Sequence, residues 1–324
     1  MSERRLIPRL ARLEYLGSPR FVNAMATVIV ATAASSFAIE RIAGGPALAG
    51  VLAGLVVIAS LSAFVRRASL DWQGILPISL LAFVAWSVLS VLWSEYQWAT
   101  LSGLLYQLAF TVLGVYVALT RDMIQIVRVF GDVLRALLAA SLAIEIFSGI
   151  IIDSPLAFLG VRGDLTEGGP IQGISGDASR LGILALVAGV TFGIELLTRS
   201  VPRSISIVSL AATAILVLLA HSNLATLSSA VVIVAALLLT WARHVRPTAR
   251  LPLAWVLLAA GMIAAGVAVL LRAQLIEMLG ASGQVADRVA LWRLLISSIS
   301  ENNGIEGWGW VGQWPISISP VLRV

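Results

Sequence analysis

The sequence contains no cysteine and no lysine, and only two histidines, His221 and His244. Without cysteine there are no disulfides, no thiolate metal sites and no cysteine nucleophile, and the redox compartment stays open. Two histidines exclude a histidine-rich metal site, and no metal or cofactor is expected. Charge is scarce as well. Charged residues make up 12% of the 324 residues, about half the share found in a soluble domain. Short segments of alternating hydrophobicity, the mark of a membrane β-barrel, are missing too. The net charge of +5 does not point to nucleic acid. Every basic residue is arginine, and most lie between apolar runs, where membrane topology requires them.

What the sequence does contain is apolar length. Hydrophobic residues make up 59% of the chain. The apolar runs are Phe21–Ile39, Pro46–Phe64, Ile75–Leu92, Leu101–Leu119, Phe130–Ile152, Leu181–Leu197, Ser204–Ala220, Ala225–Trp241 and Pro252–Leu271. Each approaches the length that a bilayer demands at about 1.5 Å per residue. The expected fold is therefore all-α: a polytopic transmembrane helix bundle of about nine spans, with an outer amphipathic helix and glycine-rich loops. Residues 1–20 form a basic arm, 21–272 the bundle, and 273–324 an extracytoplasmic segment. Ala31-Thr32-Ala33 resembles a signal-peptide cleavage site, but the length of the first run and the many runs after it favour a retained span. Gly50-x-x-x-Gly54 has the spacing of close helix packing.

Arginine placement sets an expected orientation. With the N-terminus cytoplasmic, fourteen arginines fall on the inner side: Arg4, Arg5, Arg9, Arg12, Arg20, and those at 66, 67, 121, 128, 199, 203, 243, 246 and 250. Seven fall outside, at 41, 162, 180, 272, 288, 293 and 323. This bias predicts the cytoplasmic membrane, with the N-terminus in and the last segment out. The turn at His221–Leu224 is the tightest link in that count.

Two long outer segments carry the candidate chemistry. Asp153–Arg180 combines glycines at 160, 163, 168, 169, 173 and 176 with Pro155 and Pro170, which argues against a regular helix. It reads either as a solvated loop or as an interfacial loop whose Arg162 and Arg180 meet an anionic head group. A guanidinium offers phosphate a planar fork of donors. In the last segment, Ala286–Ser300 reads as an amphipathic helix with Val289, Trp292, Leu295, Ile296 and Ile299 on one face. Arg288 and Trp292 are neighbours at i and i+4. Trp308 and Trp310, among glycines, form either a sugar-stacking platform or an interfacial belt. Within the spans, Glu145 is either a functional polar site or a neutral acid bonded to another helix. Glu195 is expected to reach the interface. His221 reads as an interfacial hydrogen-bonder or a base.

Together, Arg288-x-x-x-Trp292 and Gly307-Trp308-Gly309-Trp310-x-Gly312 resemble the signature of the O-antigen ligase and O-antigen polymerase family. Gly173-Ile174-Ser175-Gly176-Asp177-Ala178-Ser179-Arg180-Leu181-Gly182 is similar to that family's glycine- and asparagine-rich motif, with Asp177 and Ser179 where asparagine is frequent. The resemblance implies a membrane-embedded glycosyltransferase without cofactor. Its donor would be a polyprenyl-pyrophosphate-linked glycan, and its acceptor a glycan or a lipid-linked core. Arg288 and Arg180 carry over as pyrophosphate ligands; Arg162 is added from its charge and place. Substrate contacts are expected from Arg162, Asp177, Trp292, Trp308 and Trp310. The family's outer loop continues to a histidine proposed as general base. Here the chain ends at Val324 with no histidine in that segment, so either the copy is truncated and inactive or another group serves as base, with His221, Asp177 and Glu167 as candidates. A flippase or transporter of lipid-linked oligosaccharide and a non-catalytic membrane scaffold are the alternatives.

Overall fold

The computed structural model describes residues 15–68, 70, 78–244, 247–272, 274, 289–294, 296–297 and 308–310. Among these, the regular structure is helical. The helices are α1 (Pro19–Ala43), α2 (Gly45–Val65), α3 (Ile78–Leu89), α4 (Gln97–Thr120), α5 (Met123–Ile146), α6 (Ala178–Thr198), α7 (Arg203–Leu219), α8 (Asn223–His244) and α9 (Pro247–Leu270). A 3-10 turn (Ser90–Leu92) extends α3, and a π-helical turn (Phe147–Ile152) extends α5.

Local chemistry explains several boundaries. Ser18 caps α1, its Oγ accepting from the Phe21 amide at 3.2 Å, with Pro19 pre-set for the first turn. Gly44, at φ +83°, lets the chain reverse between α1 and α2. α1 runs unbroken through Ala31-Thr32-Ala33. The tight α7–α8 turn is made by His221 in the left-handed region (φ 46°) and by Ser222, whose Oγ accepts from the Ala225 amide at 3.3 Å.

Six helices among the described residues are long and apolar enough to cross a membrane: Pro19–Ala43, Gly45–Val65, Gln97–Thr120, Met123–Ile152, Ala178–Thr198 and Asn223–Ala242. Apolar stretches at Ile78–Leu92, Arg203–Leu219 and Trp255–Ala264 are shorter. Large apolar side chains such as Phe64, Val208, Leu218 and Leu239 point outward. That surface suits lipid rather than water, and the protein is a multi-pass membrane protein in composition and fold.

Two clusters form the core. α1, α2 and α4 pack through Met25, Ile29, Leu52, Leu55, Leu113 and Tyr116. α5, α6 and α7 pack through Leu134, Leu138, Leu181, Phe192 and Leu216. Val30 of α1 meets Val129, Val133 and Leu137 of α5 and joins the two. Gly50 and Gly54 take no part: no atom lies within 4 Å of where their Cβ atoms would be. α2 is apolar all round, and it buries the opposite stripe of Leu48, Leu52, Leu55, Ala59 and Ser62. The expected glycine-mediated contact is therefore absent among the described residues.

The helix ends sort into two groups. At one end, Ser62 donates to the Leu16 carbonyl at 2.8 Å, Arg121 to Pro19 at 3.0 Å and Arg128 to Ser200 at 3.4 Å. Burial and nearby Arg66 push the Arg121 pKa below the usual arginine value. At the other end, Arg41 reaches Gly176 and the Ile171 amide donates to Leu219 at 3.1 Å. We call the first the arginine-rich end and the second the loop end.

Candidate functional site: an arginine-lined pocket on the α5–α6 loop

The α5–α6 connection is a built structure rather than a loose loop. Asp153, in the left-handed region at φ 49°, reverses the chain out of α5. Leu156 and Val161 then pair their backbones across a short turn, at 2.9 and 3.3 Å. The Asp164 carbonyl accepts from the Gly169 amide at 2.8 Å and closes a second turn. Val161, Ile171 and Gln172 are buried between these turns and the helices.

The mould for this loop is a polar stripe on α5. Ser141, Glu145 and Ser148 stand at i, i+4 and i+7, on one helix face, and all three are completely buried (0% exposed). Glu145 Oε1 accepts from the amides of Gln172 and Gly173, each at 2.6 Å. Ser141 Oγ accepts from the Ile174 amide at 3.2 Å. Ser148 Oγ donates to the Ser154 carbonyl at 2.7 Å, while the Ser154 amide donates back to Ser148. The stripe thus grips both legs of the loop. Glu145 lies seven residues before Ile152, so the returning leg dips about 10 Å below the end of the helical segment. Irregular backbone at that depth needs protein partners, and the stripe supplies them.

Above this floor lies an open pocket of about 410 Å³, lined by Arg41, Pro155, Gly160, Arg162, Gln172 and Asp177 among others. Arg41 arrives from the last turn of α1 and donates from Nη1 to the Gly176 carbonyl at 3.3 Å. Its guanidinium lies against Gly160 and Gly176, both at positive φ, and a Cβ on either would overlap it. Arg162 is placed by its own amide, which donates to Gln172 Oε1 at 2.9 Å. Asp177 caps α6, its Oδ1 accepting from the Arg180 amide at 2.9 Å. Two arginines, Arg41 and Arg162, and one carboxylate residue, Asp177, line the pocket. That set can hold an anion bearing several oxygens, with a hydroxyl group for the carboxylate to accept from.

The structure places the sequence-predicted residues as follows. Arg162 and Asp177 share the pocket. Arg180 is one turn away, with its guanidinium carbon 3.5 Å from the centre of the Phe37 ring, so it ties α6 to α1. His221 is exposed in the α7–α8 turn, two residues past the Leu219 carbonyl that holds Ile171. Trp308 and Trp310 dock elsewhere at the loop end. Trp308 stacks on Tyr96, with ring centres 5.6 Å apart, and its carbonyl accepts from Ser94 Oγ at 2.9 Å. Trp310 meets Phe83 edge-on and its amide donates to Ser90 Oγ at 3.0 Å. Residues 289–294 are helical, and Trp292 is exposed. Ile296 and Ser297 are helical as well, and Ile296 is exposed; Arg288 and the other residues of Ala286–Ser300 lie outside the described residues.

Two residues differ from the sequence expectation. The sequence assigns Arg41 only a topological role; the signal for more is an outward arginine beside the Gly44-Gly45 turn. Glu195 was expected at the interface but is completely buried (0% exposed). Arg135 of α5 reaches it with Nη2, while also bonding Asp132 at 2.9 Å and Ser209 Oγ at 3.1 Å. A neighbouring helix supplied the counter-charge, so Glu195 had no need to extend to the surface. Comparison of the chain with family models, with curated proteins and with solved structures finds no match.

Proposed function

We propose that this protein is a membrane-embedded glycosyltransferase of the O-antigen ligase and polymerase type, joining a polyprenyl-pyrophosphate-linked glycan to a glycan or lipid-linked acceptor. The observation that carries the reading is the pocket where Arg41 and Arg162 converge with Asp177 at one end of a bundle of apolar helices. A lipid-linked pyrophosphate is anionic and lies at head-group depth, where such a pocket can receive it. Charge-assisted hydrogen bonds from the arginines would stabilise pyrophosphate as it leaves, at roughly 1.5–3 kcal/mol each. In this reading the bundle has about nine spans, the arginine-rich end faces the cytoplasm, and the loop end faces outward. By its place in the motif Arg288 is a further candidate pyrophosphate ligand, and Trp292, Trp308 and Trp310 are candidate glycan contacts. His221 and Asp177 are the candidate proton acceptors.

The test is glycan transfer by the purified protein in lipid, with polyprenyl-pyrophosphate oligosaccharide as donor. Arg41→Ala, Arg162→Ala and Arg288→Ala are each expected to lower turnover by about a hundredfold. Undiminished turnover in the first two variants would remove the pocket from the mechanism.

A transporter or flippase of lipid-linked oligosaccharide is the second reading. The Arg135–Glu195 pair inside the bundle favours it, since buried ionisable groups line many transport paths. Translocation of a labelled lipid-linked oligosaccharide in vesicles, without glycan transfer, would select it.

A further inference from the structure

We infer that Glu145 is the positioning residue of the arginine pocket: a carboxylate inside the bundle that sets the place of Arg162 through the backbone of Gln172. The inference rests on the pocket being an anion site, as proposed above. The chain of contacts is short. Glu145 Oε1 takes the amides of Gln172 and Gly173, and Gln172 Oε1 takes the amide of Arg162 at 2.9 Å. Every link is fixed by burial: Glu145 is 0% exposed and Gln172 5%. Two successive amides converging on one buried oxygen fix the path of the returning leg. Its register is set by Gly173, at φ +55°, where a Cβ would overlap Ser141. A shift by one residue would put a side chain there and move the Gln172 side chain off the Arg162 amide. Glu145 never reaches the pocket itself. It acts on the ligand only through where it holds the floor and the Arg162 backbone.

The charge of Glu145 is not what this role needs. An acceptor oxygen of the same reach suffices, and that separates positioning from electrostatic participation. The experiment titrates inorganic pyrophosphate into the purified full chain in lipid nanodiscs by calorimetry. Glu145→Ala and Gln172→Ala are both expected to weaken binding by about tenfold, the loss of one hydrogen bond's worth of placement. Glu145→Gln, which keeps the oxygen, is expected to bind within about threefold of the parent. Gln172→Ala leaves the Glu145 anchor in place, so it tests the link even if Glu145→Ala fails to fold. Parent-like binding by Gln172→Ala, or a Glu145→Gln defect as large as that of Glu145→Ala, overturns the inference. Arg41→Ala and Arg162→Ala keep the two failures apart. If both bind pyrophosphate as the parent does, the anion pocket itself is wrong; if both lose binding while the Glu145 and Gln172 variants do not, only the positioning role is.

Discussion

Glu145 and Glu195 are both completely buried, on helices packed side by side, yet they are satisfied in opposite ways. Glu195 meets a cation. Arg135 joins it to α5, to Ser209 of α7 and to the face of Phe192, so one ion pair ties three helices together. Glu145 meets no cation among the described residues. Its partners are two backbone amides of the loop, with Ser141 and Ser148 flanking it on the same face. The difference teaches what each carboxylate is for. A buried ion pair fixes how helices sit against one another, because separating it exposes two charges to a low dielectric. A buried carboxylate on backbone amides fixes a chain path instead, because it holds two successive amides of the loop at one point on α5.

This contrast can be broken by experiment. The largest effect is expected from Arg135→Ala, which strands the buried Glu195 carboxylate without its cation. About 3–5 kcal/mol of stability should be lost, read as a lowered midpoint of thermal unfolding in nanodiscs. The double variant Arg135→Ala/Glu195→Ala should recover much of that loss; no recovery would mean the pair is not the source. Glu145→Ala should act locally. The Gln172 and Gly173 amides should exchange hydrogen about thirtyfold faster, equivalent to ~2 kcal/mol, while the α5–α6 core stays protected. Exchange spreading over all helices would erase the distinction between the two sites. Gly173→Ala, placed at φ +55° against Ser141, should cost about 1–2 kcal/mol in the same loop amides. Gly50→Ala is the smallest case. Its Cβ meets open space, so stability should stay within about 0.5 kcal/mol. A larger loss, seen only in lipid, would show that this face of α2 is packed against something after all.

Much of the helical layout was legible because span length is a local property. A run of apolar residues forms a helix wherever lipid or protein surrounds it, and a capping serine or a left-handed glycine marks its end. The facing of α2 was not legible. Its apolar residues surround the helix, so no stripe in the sequence separates the buried Leu52 and Leu55 from the exposed Gly50 and Gly54. The candidate site was half legible. Arg162 and Asp177 stood out as charges in a glycine-rich segment, and both line the pocket. Arg41 did not, because it lies more than a hundred residues away in the chain and reaches Gly176 only once α1 packs beside α5.

By itself, the sequence determined that the chain is helical, apolar enough to cross a membrane several times, and interrupted by a glycine-rich segment at Asp153–Arg180 with its own charges. Composition and run length settle those points, since each acts within a few turns of chain. Only the tertiary structure decided the partners of the buried groups: Arg135 for Glu195, loop amides for Glu145, and Arg41 for the pocket. Those are pairings across helices, and a buried polar group takes whatever complementary group packing brings within hydrogen-bond reach.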